Sequence, residues 1–133
     1  MSSFPIGSVI IIDNFRGKDG TTKKRWFVYL GFYKTLEGHI ICTTTSRVGY
    51  YTDGKRKNIP HTIFEPRCFQ VRSVLDVMGV YYPNEEEFKS YNPRKVCELS
   101  EEELKMALEV LLISDYVEEI IKDYLRELLK NFD

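Results

Sequence analysis

Three short runs of β-branched and aromatic residues near the N-terminus constrain the fold of this chain most strongly. They are GSVIIID, RWFVYLGF and HIICTTT, spanning 7–13, 25–32 and 39–45. The turn-rich segments FRGKDGTTKK and KTLEG separate them, and short runs with such boundaries are typical of β-strands. Three strands in succession predict an antiparallel meander.

Further short apolar runs predict that the strands continue to residue 83. They are NIPHTIFE, CFQVRSVLDV and GVYY, with Pro60 and Pro66 as breaks or edge markers. Five or six short strands at this spacing predict a compact barrel. We therefore expect a single domain over 1–133, with a β-barrel over 1–83, a polar crossing over 84–99 that contains a helical turn, and a helical segment over 100–133.

The last third of the chain has the pattern of amphipathic helices. In LSEEELKMALEVLLIS, Ser100 stands three residues before Glu103, which predicts a capping box. Ser114 and Asp115 either cap a second helix or lie inside one long helix. Core packing is the favoured role of the second apolar stripe, and a partner surface is the alternative. That stripe consists of Val117, Ile120, Ile121, Tyr124, Leu125, Leu128 and Leu129.

Cysteine and histidine patterns argue against metal or disulfide chemistry. Cys42, Cys68 and Cys97 are odd in number and form no CxxC pair, so we expect neither a disulfide framework nor structural zinc, and a reducing cytoplasm fits best. His39 and His61 stand alone, as structural or surface histidines usually do. MSSFPIGS lacks a basic start and an apolar h-region, so we expect no export, and no apolar run reaches membrane-spanning length. We expect no metal, no cofactor and no membrane contact.

Charge is divided unevenly along the chain. Residues 1–73 hold 12 Lys and Arg against 5 Asp and Glu, a net of +7, and the remainder holds 7 against 15, a net of −8. The basic residues cluster in TTKKRW and GKRKN, near several aromatic side chains. Cations for phosphates and rings for unstacked bases are what a nucleic-acid surface needs. Two solvated loops are the alternative.

The third run ends in three threonines, and Ser46 extends them to four consecutive hydroxyl side chains, 43–46, followed by Arg47. Because strand side chains alternate between faces, Thr44 and Ser46 share one face, and Thr43 and Thr45 share the other. A core can absorb one threonine but not four hydroxyls, so we expect the strand to leave the core near Cys42 and end at a polar groove. A threonine-rich edge strand, selected for β propensity alone, is the alternative.

Four segments in order match a known pattern: GSVIIIDNF, DGTTKKRWFVYLG, IICTTTSR and LSEEELKMALEVLLIS. They resemble the MazF/PemK family of toxin endoribonucleases, which begins with a glycine and an apolar strand. In that family a flexible loop ends in a basic residue before the second strand, and the third strand ends in threonine and serine. Trp26 departs from the proline that commonly follows the arginine, and 48–83 matches poorly, so the resemblance bears on the fold more than on the RNA target.

The resemblance implies an SH3-like, mostly antiparallel β-barrel followed by one or two C-terminal helices. It implies a metal-independent endoribonuclease that cuts single-stranded RNA selectively, forms a homodimer and is inhibited by an antitoxin protein. By position the catalytic arginine is Arg25 and the catalytic threonine is Thr44, with Thr45 and Ser46 beside it. The expected RNA-binding residues are Lys23, Lys24, Trp26, Arg47, Lys55, Arg56 and Lys57.

The chemistry asked of such a site is modest, because RNA carries its own nucleophile in the 2′-hydroxyl. The products would be a 2′,3′-cyclic phosphate and a 5′-hydroxyl. An arginine suits charge stabilisation and leaving-group protonation, and its use as a base stays open. A threonine hydroxyl can donate to a phosphate oxygen. A non-catalytic module of the same fold that binds nucleic acid or protein is the main alternative, and a helical tail acting as a partner surface is a third.

Overall fold

The computed structural model describes residues 4–132, in which six strands form one sheet. The order in the sheet is β4-β5-β3-β2-β1-β6, and each neighbouring pair is antiparallel. The predicted meander of the first three strands is confirmed. The strands are β1 Ser8–Arg16, β2 Thr22–Tyr33, β3 Gly38–Thr45, β4 Ile63–Phe64, β5 Ser73–Tyr81 and β6 Arg94–Glu98.

Among the described residues, four α-helices and two short 3-10 turns accompany the sheet. The two longest helices lie at the C-terminal end, as expected. The helices are α1 Gly49–Thr52, α2 Glu85–Ser90, α3 Glu101–Leu112 and α4 Glu119–Leu129, and the 3-10 turns are Lys34–Leu36 and Lys130–Phe132. No helix within 4–132 is long and apolar enough to cross a membrane.

The hairpin between β1 and β2 is longer than the sequence predicts. Phe15 pairs with Lys23 and Arg16 with Thr22, so part of the expected loop belongs to the strands. Arg25, the first residue of the predicted second strand, lies inside β2 opposite Ile12 because β2 begins at Thr22. Polar residues can extend a hairpin in this way because the backbone supplies the ladder hydrogen bonds whatever the side chains are.

A sixth strand lies where the sequence predicts a polar crossing. β6 pairs with β1, placing Ser8 opposite Glu98 and Ile11 opposite Arg94. The side chains of β6 are mostly exposed, so they show no apolar alternation. The buried backbone of β1 nevertheless needs partners on both edges, and β6 provides them on the second edge.

Two apolar clusters occupy the two faces of the sheet. One contains Val28, Leu30, Cys42 and the inner sides of α3 and α4. The other contains Ile10, Ile12, Phe15, Phe27, Tyr29, Ile41 and Phe88. Successive residues of β2 and β3 therefore alternate between the clusters, as strand geometry requires.

The C-terminal segment forms two helices that pack on the sheet. The Ser100–Glu103 capping box is present, with Glu103 N donating to Ser100 Oγ over 3.1 Å and Ser100 N donating to Glu103 Oε1 over 2.8 Å. Ser114 accepts a hydrogen bond from Tyr116 N in the turn between the helices, and Glu118 is the N-cap of α4. The alternative of one long helix is therefore wrong.

α4 is attached to a bulge in β2. The Tyr124 hydroxyl donates to the Leu30 carbonyl over 2.8 Å. Gly31 adopts a φ of +104°, and a Cβ there would lie 2.2 Å from the Tyr124 hydroxyl oxygen. Position 31 therefore requires glycine for both conformation and space.

Cys68 and Cys97 form a disulfide bond, which corrects the expectation that the cysteines stay unpaired. Their Cα atoms lie 5.3 Å apart, and 29 positions separate them in sequence. Cys97 is in β6, whereas Cys68 follows β4, so the bond links segments from the two edges of the sheet. Sequence spacing could not reveal this pair because the contact depends on how the sheet curls. The unpaired-cysteine argument for a reducing compartment therefore no longer holds.

Candidate nucleic-acid interface

A groove of about 320 Å³ lies where β2 and β3 separate. Pairing between these strands ends at Phe27 and Thr43. Beyond that point β2 remains paired with β1 as far as Thr22, and β3 remains paired with β5 as far as Thr45. The diverging ends open a cleft, which we call the basic groove. It is lined by 23–26, 44–47, 69–71 and 73.

The basic groove brings together eight of the eleven residues predicted for the site. All four predicted catalytic residues are among them. The eight are Lys23, Lys24, Arg25, Trp26, Thr44, Thr45, Ser46 and Arg47. Residues distant in sequence meet here because the register of β2 on β3 places 23–26 beside 44–47.

The groove is strongly cationic. Lys23, Lys24, Arg25 and Arg47 line it, no carboxylate is among its lining residues, and none of the four forms an ion pair within 4–132. Asp19 lies nearby, and the hydrogen bonds from Thr21, helped by the charges of Lys23 and Arg25, lower its pKa. A concave surface with charge of one sign concentrates the potential that attracts a polyanion.

Thr43 and Thr44 are both buried, so the strand leaves the core later than expected. Thr43 is 5% exposed and packs at Gly79, where a Cβ would lie 2.0 Å from its Oγ1. Thr44 is 7% exposed, and its hydroxyl donates to the Trp26 carbonyl over 3.2 Å. The core accommodates both because one meets a residue without a side chain and the other has a backbone acceptor. The change to solvent occurs at Thr45, which is half-buried.

Thr45 has a different hydrogen-bond role from Thr44. Its Oγ1 accepts from the backbone N–H of Arg47 over 3.2 Å, so the hydroxyl hydrogen is available to a ligand. By alternation Thr45 shares a face with Thr43 and Ile41, and Arg25 shares that face with Phe27. Arg25 and Thr45 therefore lie on one face of the diverging ends, whereas Trp26 and Thr44 lie on the other.

The third side of the groove was not predicted. It consists of Phe69, Gln70, Val71 and Ser73, which we call the groove wall. The ring of Phe69 packs on Trp26, with centroids 5.9 Å apart, and stacks on Phe64 at 5.4 Å. The sequence pattern of CFQVRS indicates only a strand, and it carries no signal that these residues face 23–26.

Lys55, Arg56 and Lys57 lie outside the groove lining, contrary to the grouping that the sequence suggests. Arg56 Nη1 lies 3.2 Å from Asp76 Oδ1 and 3.2 Å from the Tyr51 hydroxyl. Tyr51 donates to Asp76 Oδ1 over 2.7 Å, and burial, reinforced by Asp76, raises the pKa of Tyr51. Arg56 thus belongs to a polar network that supports α1.

A second polar network is centred on the buried side chain of His39. His39 is fully buried, its Nδ1 forms a hydrogen bond with the Tyr29 hydroxyl over 2.8 Å, and its Nε2 forms one with Glu85. The bond from His39 lowers the pKa of Glu85, and Phe88 stacks on the imidazole at 4.2 Å. This arrangement fits the structural role expected for a lone histidine. Within 4–132 no three His, Cys, Asp or Glu side chains form a group that could hold a metal ion.

The chain is therefore a mostly antiparallel sheet backed by C-terminal helices, with a cationic groove at two diverging strand ends. No model of a known protein family matches the sequence, and no curated protein matches it.

Proposed function

We propose that this protein is a metal-independent endoribonuclease that cuts single-stranded RNA selectively, as MazF/PemK toxins do. The observation that carries the proposal is the composition of the basic groove, which combines four cations, the accessible hydroxyls of Thr45 and Ser46, and two aromatic side chains without a carboxylate. The cations neutralise phosphates, and the RNA supplies the 2′-hydroxyl nucleophile. The products are a 2′,3′-cyclic phosphate and a 5′-hydroxyl.

Arg25 and Thr45 are the pair to which we assign the chemistry. Arg25 stabilises the charge that develops on the phosphorane and can protonate the leaving oxygen. Thr45 donates to a non-bridging oxygen, because its hydroxyl accepts from Arg47 N and retains its hydrogen. Thr44 is a positioning residue, since its hydrogen bond to the Trp26 carbonyl ties the two strand ends together. Ser46 is exposed beside them as a further donor.

The finer features of the family belong to the same proposal. An SH3-like barrel agrees with a six-stranded antiparallel sheet whose two edge segments are joined by the Cys68–Cys97 bond. We also propose a homodimer, a cytoplasmic location where mRNA is available, and an antitoxin protein whose acidic segment covers the basic groove.

A non-catalytic nucleic-acid-binding module is the second candidate. One observation favours it: the groove lining contains no histidine, aspartate or glutamate that could act as a general base. Such a module would hold the same RNA through the same cations without cutting it.

Purified protein incubated with a long RNA in EDTA distinguishes the two candidates. The endoribonuclease produces discrete cuts with cyclic phosphate ends, loses them in Arg25→Ala and keeps them in Lys57→Ala, whose lysine is outside the groove. Intact RNA together with salt-sensitive binding establishes the binding module and rejects the nuclease.

A further inference from the structure

We propose that Cys97 is a thiol–disulfide exchange site through which a dithiol reductant releases the groove wall. The Cys68–Cys97 bond joins β6 to the residue directly before Phe69, so it anchors the wall at its first member. The release follows from the contacts described below, whereas its effect on RNA rests on the proposed function.

Few other bonds hold the segment that carries the wall. Within the described chain, residues 65–72 take part in no backbone-to-backbone hydrogen bond. Arg67 connects this segment to the C-terminal region, donating to the Glu98 carbonyl over 3.0 Å and pairing with Glu103. Ser73 Oγ donates to the Val71 carbonyl over 3.0 Å, and Arg72 pairs with Glu65 within the segment. Phe69 packs on Trp26 and Phe64. Local segments with so few hydrogen bonds open at low free-energy cost.

The disulfide is reachable from one side. Cys68 is 7% exposed, whereas Cys97 is half-buried on the edge strand β6. Attack therefore falls on the more accessible Cys97 sulfur, with Cys68 as the leaving thiolate. Arg67 Nη1 lies 3.7 Å from Cys97 Sγ, so its guanidinium stabilises the Cys97 thiolate that the second step releases.

The exchange proceeds in two balanced steps. A thiolate of the dithiol bonds to Cys97 Sγ, the Cys68–Cys97 bond breaks, and the Cys68 thiolate takes a proton. The second thiol of the reductant loses its proton and attacks the mixed disulfide, which releases Cys97 as a thiolate that is then protonated. Two electrons and two protons move to the protein, and the dithiol becomes a disulfide.

Loss of the Cys68–Cys97 bond changes the groove and leaves the sheet paired. β6 remains hydrogen-bonded to β1, and β4 remains paired with β5. The packing of Phe69, the contacts of Arg67 and the hydrogen bond from Ser73 to Val71 then remain as noncovalent attachments, and the wall moves away from Trp26. The oxidised protein has the complete groove, and the reduced protein has a groove without one side.

Trp26 is the chain's one tryptophan, so its fluorescence reports on the wall directly. The protein is titrated with dithiothreitol while tryptophan emission, far-UV circular dichroism and the mass after alkylation are recorded. We expect a red shift of the emission as two cysteines become alkylated, with unchanged circular dichroism. Cys42 is an internal control, because it is fully buried and should stay unalkylated without denaturant.

Three results would overturn the proposal: unchanged Trp26 emission after both thiols are freed, loss of circular dichroism together with the emission change, or no reduction without denaturant. Without dithiothreitol, the Cys68→Ser/Cys97→Ser double variant should already show the red-shifted emission of the reduced wild type. Adding dithiothreitol should not change that emission. Cys42→Ala is the matched control and should keep the response.

RNA binding separates this proposal from the proposed function. Reduction and the double variant should each weaken binding of a fluorescent single-stranded RNA several-fold at low salt. If the emission changes but neither redox state binds RNA, the exchange site stands and the proposed function fails. If RNA binds equally in both states, the wall does not contribute to the RNA site, and that part of the proposal is wrong.

Discussion

The hydroxyl of Thr44 donates to the carbonyl oxygen of Trp26 over 3.2 Å, at the point where β2 and β3 separate. The next residue, Thr45, accepts from a backbone N–H instead. Adjacent threonines therefore differ in their hydrogen bonds: the Thr44 hydroxyl joins the two strand ends, whereas the Thr45 hydroxyl accepts a bond and retains its hydrogen.

Valine substitutions test the two threonines separately, because valine keeps the shape and removes the hydroxyl. Thr45→Val should lower RNA cleavage by roughly 10²-fold with little change in stability. Thr44→Val should lower the free energy of unfolding by about 1–2 kcal/mol, since the Trp26 carbonyl loses its donor, and should reduce cleavage less. Cleavage rates and urea unfolding measure both effects, with Thr43→Val as the control that removes a buried hydroxyl outside the groove lining. A larger loss of cleavage in Thr44→Val than in Thr45→Val would mean that Thr44, and not Thr45, contacts the phosphate.

Arg25 can be tested without disturbing the fold. It is half-exposed in β2, so Arg25→Ala should abolish cleavage while changing the free energy of unfolding by no more than about 0.5 kcal/mol. Arg25→Lys restores the charge but not the planar group, and should recover part of the activity. RNA binding should fall only slightly, because Lys23, Lys24 and Arg47 remain. Normal turnover in Arg25→Ala would place the active site elsewhere.

Cations inside and outside the groove should behave differently. Lys24→Ala should weaken RNA binding and reduce the slope of log affinity against log salt by about 0.7, the value for one phosphate contact on a single strand. Arg56→Ala should leave binding unchanged and lower stability by about 1 kcal/mol, because Asp76 loses a partly exposed partner. Binding measured over a salt series, together with thermal unfolding, tests both variants. Equal losses of RNA affinity would mean that the RNA path extends to α1.

Neighbouring isoleucines in α4 test how the C-terminal helix packs. Ile121 is 1% exposed and Ile120 is 38% exposed, although the sequence places both on one stripe. Ile121→Ala should cost about 2–4 kcal/mol through the cavity it leaves, and Ile120→Ala less than about 1 kcal/mol. Removing the chain after Ser114 uncovers the same face and should cause aggregation or a changed oligomeric mass. A soluble truncated protein with unaltered mass and stability would show that α4 is accessory.

Acid should weaken the contact between α2 and the sheet. Because the folded protein lowers the pKa of Glu85, the ionised carboxylate contributes stability above its ordinary pKa of 4.5. That contribution is lost as pH falls through the lower, folded value. Melting temperatures of the wild type and Glu85→Gln should therefore differ at neutral pH and converge in acid. Parallel curves would assign the acid sensitivity to other groups.

Local patterns predicted the parts of the fold that depend on neighbours in sequence. The first three strands and the Ser100 capping box follow from alternation and spacing within a few residues. β6 could not be predicted, because its own side chains show no strand pattern. This segment forms a strand because the backbone at the edge of β1 needs hydrogen-bond partners. The same limit applies to Arg56, which was grouped with Lys55 and Lys57 by charge although Asp76 holds it in the fold.

In the candidate site too, features that depend on neighbouring residues were predicted, and features that depend on distant contacts were not. Its two strand ends were predicted, because hydroxyl and basic residues signal polar ends in the sequence itself. The groove wall depends on a contact between Phe69 and Trp26 across 43 positions, and on a covalent bond between segments at opposite sheet edges. No local pattern carries that information.

The disulfide also sets how far the chain can be stretched. If the two ends are pulled apart by force, the covalent loop excludes the segment between Cys68 and Cys97 from the extended length. Those 29 positions correspond to about 100 Å of contour. β5 lies inside the loop, so tension cannot pass along that strand while the bond is intact. The oxidised and reduced proteins therefore extend to different lengths under force, although their amino-acid sequence is the same.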